Sequence, residues 1–156
     1  MKGQLELSFG MIFSLIIILS TIGTAAYFII SFVKTGSCAD LQLSYASLQD
    51  SIDDVWGAAL GEKTVDLRMP RGVTSLCFGD ARATGNATFR ELIDPYLIEG
   101  YGLYALPPTK ACDGELASKQ LTKVTGDFFC VPVRNNKVTI RASKASVGER
   151  MVTLHA

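Results

Sequence analysis

Apolar positions along the chain follow three successive patterns, and each predicts a different element. From Leu7 to Val33 the residues read LSFGMIFSLIIILSTIGTAAYFIISFV, 27 positions without a charge. As a helix this run is roughly 40 Å long, against about 30 Å for the hydrocarbon core of a bilayer. After Lys34-Thr35-Gly36-Ser37 the pattern becomes amphipathic: Leu41, Tyr45, Leu48, Ile52, Val55 and Leu60 approximate the i, i+4, i+7 stripe of a helix with one face to bury. Gly36-Ser37 reads as an interruption or as a kink within one nearly continuous rod, because glycine is tolerated in membrane-embedded helices.

From Lys63 the period falls to two. Val65, Leu67 and Met69 alternate with Thr64, Asp66 and Arg68, and Pro70-Arg71-Gly72 supplies a turn before Val73 to Phe78, a pair that predicts a hairpin. Residues 80–118 are less regular: Phe89 to Ile93 suggests a short helix, whereas Gly100-Tyr101-Gly102 and Pro107-Pro108 mark irregular connections. Phe128 to Arg134 and Lys137 to Arg141 flank Asn135-Asn136, whose tolerance of positive φ predicts a second, tighter hairpin. Pro132 lacks an amide hydrogen and assigns its strand to an edge or a bulge. Met151 to Leu154 closes the sheet. The expected fold class is α+β: a signal-like segment 1–6, a transmembrane or filament-core helix 7–36, an amphipathic helix 37–61 packed on the head, and an antiparallel β-rich head 62–156 outside the cytoplasm.

Charge narrows the partners. Fifteen Lys and Arg balance fifteen Asp and Glu, so the basic excess that nucleic-acid binding needs is missing. Only Lys2 and Glu6 precede Lys34, which makes a membrane the expected partner of the first fifth of the chain. The single histidine, His155, lies one residue from the C-terminus, and no HExxH, GxSxG, P-loop or GxGxxG occurs. No enzyme, cofactor or small-molecule substrate is expected. Asp50, Asp53 and Asp54 read as a solvated helix face rather than a metal cluster, and Asp113-Gly114-Glu115 and Thr125-Gly126-Asp127 as surface turns. Tyr101 and Tyr104 read as packing residues, and Trp56 as a core anchor.

The charges flanking the apolar run, Lys2 and Lys34, leave its orientation undecided. Cys38, Cys77, Cys112 and Cys130 all follow the run and none forms a CxxC pair, a pattern that points to disulfides outside the cytoplasm. Four cysteines allow three connectivities. Cys77 and Cys130 both fall in apolar strands, which favours their pairing and leaves Cys38 for Cys112; buried free thiols are the alternative. Gly23-Thr24-Ala25 offers a cleavable secretory site, but the apolar run extends past it to Val33. Asn86-Ala87-Thr88 is a glycosylation sequon, with Asn86 as the acceptor.

The extreme N-terminus carries the most specific motif. Lys2-Gly3-Gln4, followed by Glu6 and the apolar run, resembles the class III signal sequences of archaeal type IV pilin-like proteins. The resemblance implies cleavage by a membrane peptidase between Gly3 and Gln4. It also implies a pilin-like plan of helix and β-rich head, and assembly into a helical homo-oligomer through Glu6, Phe9, Phe13, Ile17 and the rest of the helix. In that family an acidic residue usually occupies the fifth mature position, which here is Ser8. The same string also looks like the start of small archaeal single-pass membrane proteins. The two expectations are therefore a subunit of a pilus-like surface filament and a membrane-anchored extracellular binding or envelope protein that does not polymerise.

Overall fold

A computed structural model describes residues 9–85, 87–146 and 148–156, with side chains from Gly10 onward. The protein is α+β: one long N-terminal helix, then a β-sheet domain whose strands pair antiparallel apart from one short parallel pair. It divides into two compact units, the first ending at Gly36 and the second covering Ser37–Ala156.

Helix α1 (Phe9–Gly57) is 49 residues long. The stretch from Lys34 to Ser37 is helical, not an interruption: it contains no proline, and one glycine costs a helix only about 1 kcal/mol. In the first unit every residue from Gly10 to Gly36 is exposed. Its threonine hydroxyls are satisfied within the helix. Thr21 Oγ1 donates to the Ile18 carbonyl at 2.9 Å, Thr24 to Ser20 at 3.0 Å and Thr35 to Ser31 at 3.0 Å. Polar side chains bonded in this way do not need water, which removes their desolvation cost in an apolar surrounding.

In the second unit α1 buries Leu41, Tyr45, Leu48, Ile52 and Val55, all at most 4% exposed. Among the described residues eight strands follow: β1 (Gly61–Arg68), β2 (Ser75–Gly79), β3 (Gly102–Leu106), β4 (Ser118–Gln120), β5 (Val124–Thr125), β6 (Phe129–Pro132), β7 (Lys137–Lys144) and β8 (Val152–His155). A short helix, α2 (Ala87–Ile93), separates β2 from β3. The strands form two four-stranded sheets, ordered β1-β7-β8-β5 and β4-β3-β2-β6. In the first, Val65 faces Ile140 and Leu67 faces Val138, so the alternating apolar positions of β1 and β7 meet on one face. In the second, β2 is almost wholly buried and lies between β3 and β6. Side-chain bonds fix α1 to this framework: Ser44 Oγ accepts from the Arg68 N–H at 3.0 Å, and Tyr45 donates to the Leu116 carbonyl at 3.1 Å.

Both predicted hairpins are corrected by this topology. The Pro70–Gly72 turn forms, with Val73 N–H reaching the Pro70 carbonyl at 3.4 Å, but it hands the chain from one sheet to the other. β1 exposes one face and takes β7, whose alternation matches its own, whereas β2 is apolar on both faces and needs neighbours on either side. At Asn135-Asn136 both residues adopt positive φ, 51° and 58°, and Arg134 and Lys137 exchange backbone bonds. Beyond that single bridge the strands separate, β6 into one sheet and β7 into the other. β6 is indeed an edge strand, as Pro132 requires.

Three further expectations change. The segment Gly102–Leu106, read as irregular, is the buried strand β3, with Leu103, Tyr104 and Ala105 fully covered. The amphipathic helix stops at Gly57 rather than 61, since β1 begins at Gly61; Leu60 lies in the connection and is 56% exposed. Trp56 is 42% exposed and is not a core anchor, because the stripe turns Val55 inward and leaves its neighbour at the rim.

Candidate functional site

The apolar part of α1 is the first functional element. Among the described residues α1 is the one helix with the length and apolar composition to cross a membrane. Of the positions expected to mediate assembly, Phe13 is 58% and Ile17 47% exposed, on a segment that buries nothing of its own unit. Phe9 opens the helix, but its side chain lies outside the described residues, as do Gly3, Gln4 and Glu6. Asn86 is likewise outside the described residues, immediately before α2.

The cysteines form two bridges, Cys38–Cys112 and Cys77–Cys130, with no free thiol. Cys77 and Cys130 stand directly opposite each other across β2 and β6, where side chains of an antiparallel pair come closest. Cys38–Cys112 ties the start of the second unit's helical stretch to a tight turn at Cys112–Gly114, where Cys112 and Asp113 both take positive φ, so a segment with little regular structure is held against α1. Two bridges suit an oxidising compartment, and the exposed apolar helix suits membrane anchoring.

The C-terminal end of α1 carries a second feature, an open cleft of about 530 Å³ lined by Trp56, Lys123, Lys144, Glu149, Arg150 and Met151. The indole is fixed in place: Trp56 Nε1 donates to the Arg150 carbonyl at 3.0 Å, and Lys123 Nζ stands 4.1 Å from the ring centroid. Lys123 also pairs with Asp53 at 3.1 Å. α1 has no basic residue in its last turn, and Lys144 from β7 supplies the missing charge. Its ammonium donates to the Trp56 and Ala58 carbonyls at 3.0 and 2.9 Å, capping the negative end of the helix. Glu149 accepts from the Ala145 N–H at 2.8 Å and closes the loop beside the cleft. Sequence reasoning missed this site because its cations arrive from segments remote in the chain; the signal available was a tryptophan one step off the buried stripe.

The acidic helix face is engaged with solvent and lysines: besides Asp53, Asp54 pairs with Lys63 at 2.6 Å. Among the described residues no group of three or more His, Cys, Asp or Glu is placed to hold a metal ion. Three tyrosines are perturbed by burial. Burial pushes the Tyr45 phenol far above its usual range, and that of Tyr101 up to about 12 with a smaller push from Asp127. Tyr104 is raised as well, again mainly by burial. All three sit in the packing of the head rather than in a cleft. No protein-family model, curated protein or solved structure matches the chain.

Proposed function

We propose that the protein is a structural subunit of an archaeal type IV pilus-like surface filament, assembled through its N-terminal helix. One observation carries the reading: a helical segment exposed from Gly10 to Gly36, and without a charge as far as Val33, is followed by a head tied by two disulfides. Such a segment needs an apolar surrounding. A bilayer provides it before assembly, and neighbouring copies of the same rod provide it in a helical filament. Internally bonded threonines fit both settings. Cleavage between Gly3 and Gln4 would free an amino group for Glu6 of an adjacent copy to neutralise, and a charge pair is far cheaper than a lone carboxylate in an apolar core.

The Trp56 cleft favours one other reading, a membrane-anchored binding protein that remains unpolymerised. N-terminal mass spectrometry of the native protein separates the two. A mature chain beginning at Gln4, pelleting with sheared surface filaments, is the expected result. Surface protein that retains Met1 or Lys2 and stays with the membrane after shearing would overturn the filament reading in favour of the anchor.

A further inference from the structure

Five cations gather at one end of the head, and among the described residues none has an acid paired with it. Register places Arg68 directly opposite Lys137 in the β1–β7 pair, and Lys137 is bridged to Arg134 across the asparagine turn. The stem of Lys110 lies over Gly72, 3.3 Å from where a β-carbon would stand, and Arg71 is the residue before that glycine. Met69 N–H donates to the Asn136 carbonyl at 2.9 Å and joins the two turns. All five side chains are exposed, while the ion pairs formed elsewhere use Lys63, Arg82, Lys123 and Arg141. Acids are found close in sequence to these segments as well. Asp66, two positions along β1, accepts from the Thr139 hydroxyl at 2.7 Å, and Asp40 and Asp113 flank the Cys38–Cys112 bridge. Like charges placed opposite each other across a strand pair destabilise a sheet, so this arrangement calls for an external anion.

Chain connectivity selects the anion. Lys110 is two residues from Cys112, which is bonded to Cys38, and Cys38 follows Val33, the last apolar residue of the run, by five positions. Five residues span at most about 18 Å when fully extended. A bilayer holding the apolar run is therefore never far from the basic end of the head, whatever the angle between the two units. A soluble polyanion has no such tether, whereas headgroups of the same bilayer are presented at high effective concentration.

We propose that Arg68, Arg71, Lys110, Arg134 and Lys137 form a docking face for the anionic headgroups of the bilayer that holds α1. The face steadies the head of a membrane-inserted subunit, and it rests on the reading that the Leu7–Val33 run lies in a bilayer.

The test uses the full chain in nanodiscs of phosphatidylcholine, alone or mixed with phosphatidylglycerol. Acylation of individual lysines by a water-soluble ester is followed by mass spectrometry. Lys110 and Lys137 should react about fivefold more slowly in the anionic discs at low salt. High salt should erase the difference, and Lys63 and Lys119 should show none. The triple variant R68Q/R71Q/R134Q should lose the protection; should it fail to fold, the salt dependence of the natural chain decides alone. Equal reactivity in both discs overturns the proposal, and so does equal protection by inorganic phosphate in neutral discs, which would make the face an ion site. Release of the protein from vesicles by alkaline carbonate is a different failure, because it removes the bilayer reading itself.

Discussion

Replacing Cys38 and Cys112 by serine opens a closed loop with a sequence separation of 74 residues. Loop-closure entropy for a ring of that size amounts to about 4.5 kcal/mol at 25 °C. The second bridge reduces this, since a shorter covalent path between the same two positions already runs through Cys77–Cys130. The remaining constraint is worth about 4 kcal/mol. Both half-cystines are only half-buried, so serine leaves little cavity and the entropic part dominates. For a head of this size the loss lowers the melting temperature by about 10–20 °C. The assay is thermal unfolding of the full-length double variant in detergent, followed by near-ultraviolet circular dichroism without reductant. A fall of less than about 3 °C, under 1 kcal/mol, would refute the reasoning, because it would mean that the bridge does not restrict the unfolded chain.

Other consequences are narrower. A β-carbon at Gly79 would lie 2.7 Å from the Phe128 backbone at a φ of +130°, so Gly79→Ala should cost about 2–4 kcal/mol in urea unfolding, whereas Gly85→Ala, which meets nothing within 4 Å, should cost little. Lys144→Met removes the charged cap from the Trp56 and Ala58 carbonyls at the end of α1 and should cost about 1–2 kcal/mol by the same assay, with Lys144→Arg retaining most of the stability. Tyr45, Tyr101 and Tyr104 hold their protons more tightly when folded than when unfolded. Their contribution is complete below the unfolded phenol's value of about 10 and fades as pH rises toward and beyond the folded value, about 12 for Tyr101. Denaturant midpoints should therefore fall above pH 10, and midpoints unchanged between pH 10 and 12 would contradict this.

Helix α1 was readable because its signals are local: an uncharged run, then a stripe that keeps its period from Leu41 to Val55. β1 and β7 were readable for the same reason, since alternation marks a strand with one wet face. Their partners were not. Turn residues at Pro70–Gly72 and Asn135-Asn136 specify how tightly the chain bends, not whether the strands on either side stay together. Here each turn passes the chain between two sheets, an outcome decided by which strands need covering on both faces. Gly102–Leu106 escaped notice because Gly100, Gly102 and Pro107 punctuate it, although its apolar residues lie at the centre of a sheet. The cystine partners came closest to being legible, since two apolar strand positions and two positions outside strands sort themselves into pairs. The Trp56 cleft and the basic end of the head draw residues from remote segments, and only tertiary structure assembles them.

The claim on which the rest depends is that a greasy helix holds an oxidised head on the far side of the membrane. It is tested most directly by trapping thiols in native cells with acid, alkylating them in denaturant, and weighing the protein from each cell fraction. Protein confined to carbonate-washed membranes or sheared filaments and carrying no alkyl group is the expected outcome. Protein in the soluble cytosolic fraction with all four cysteines alkylated would contradict it.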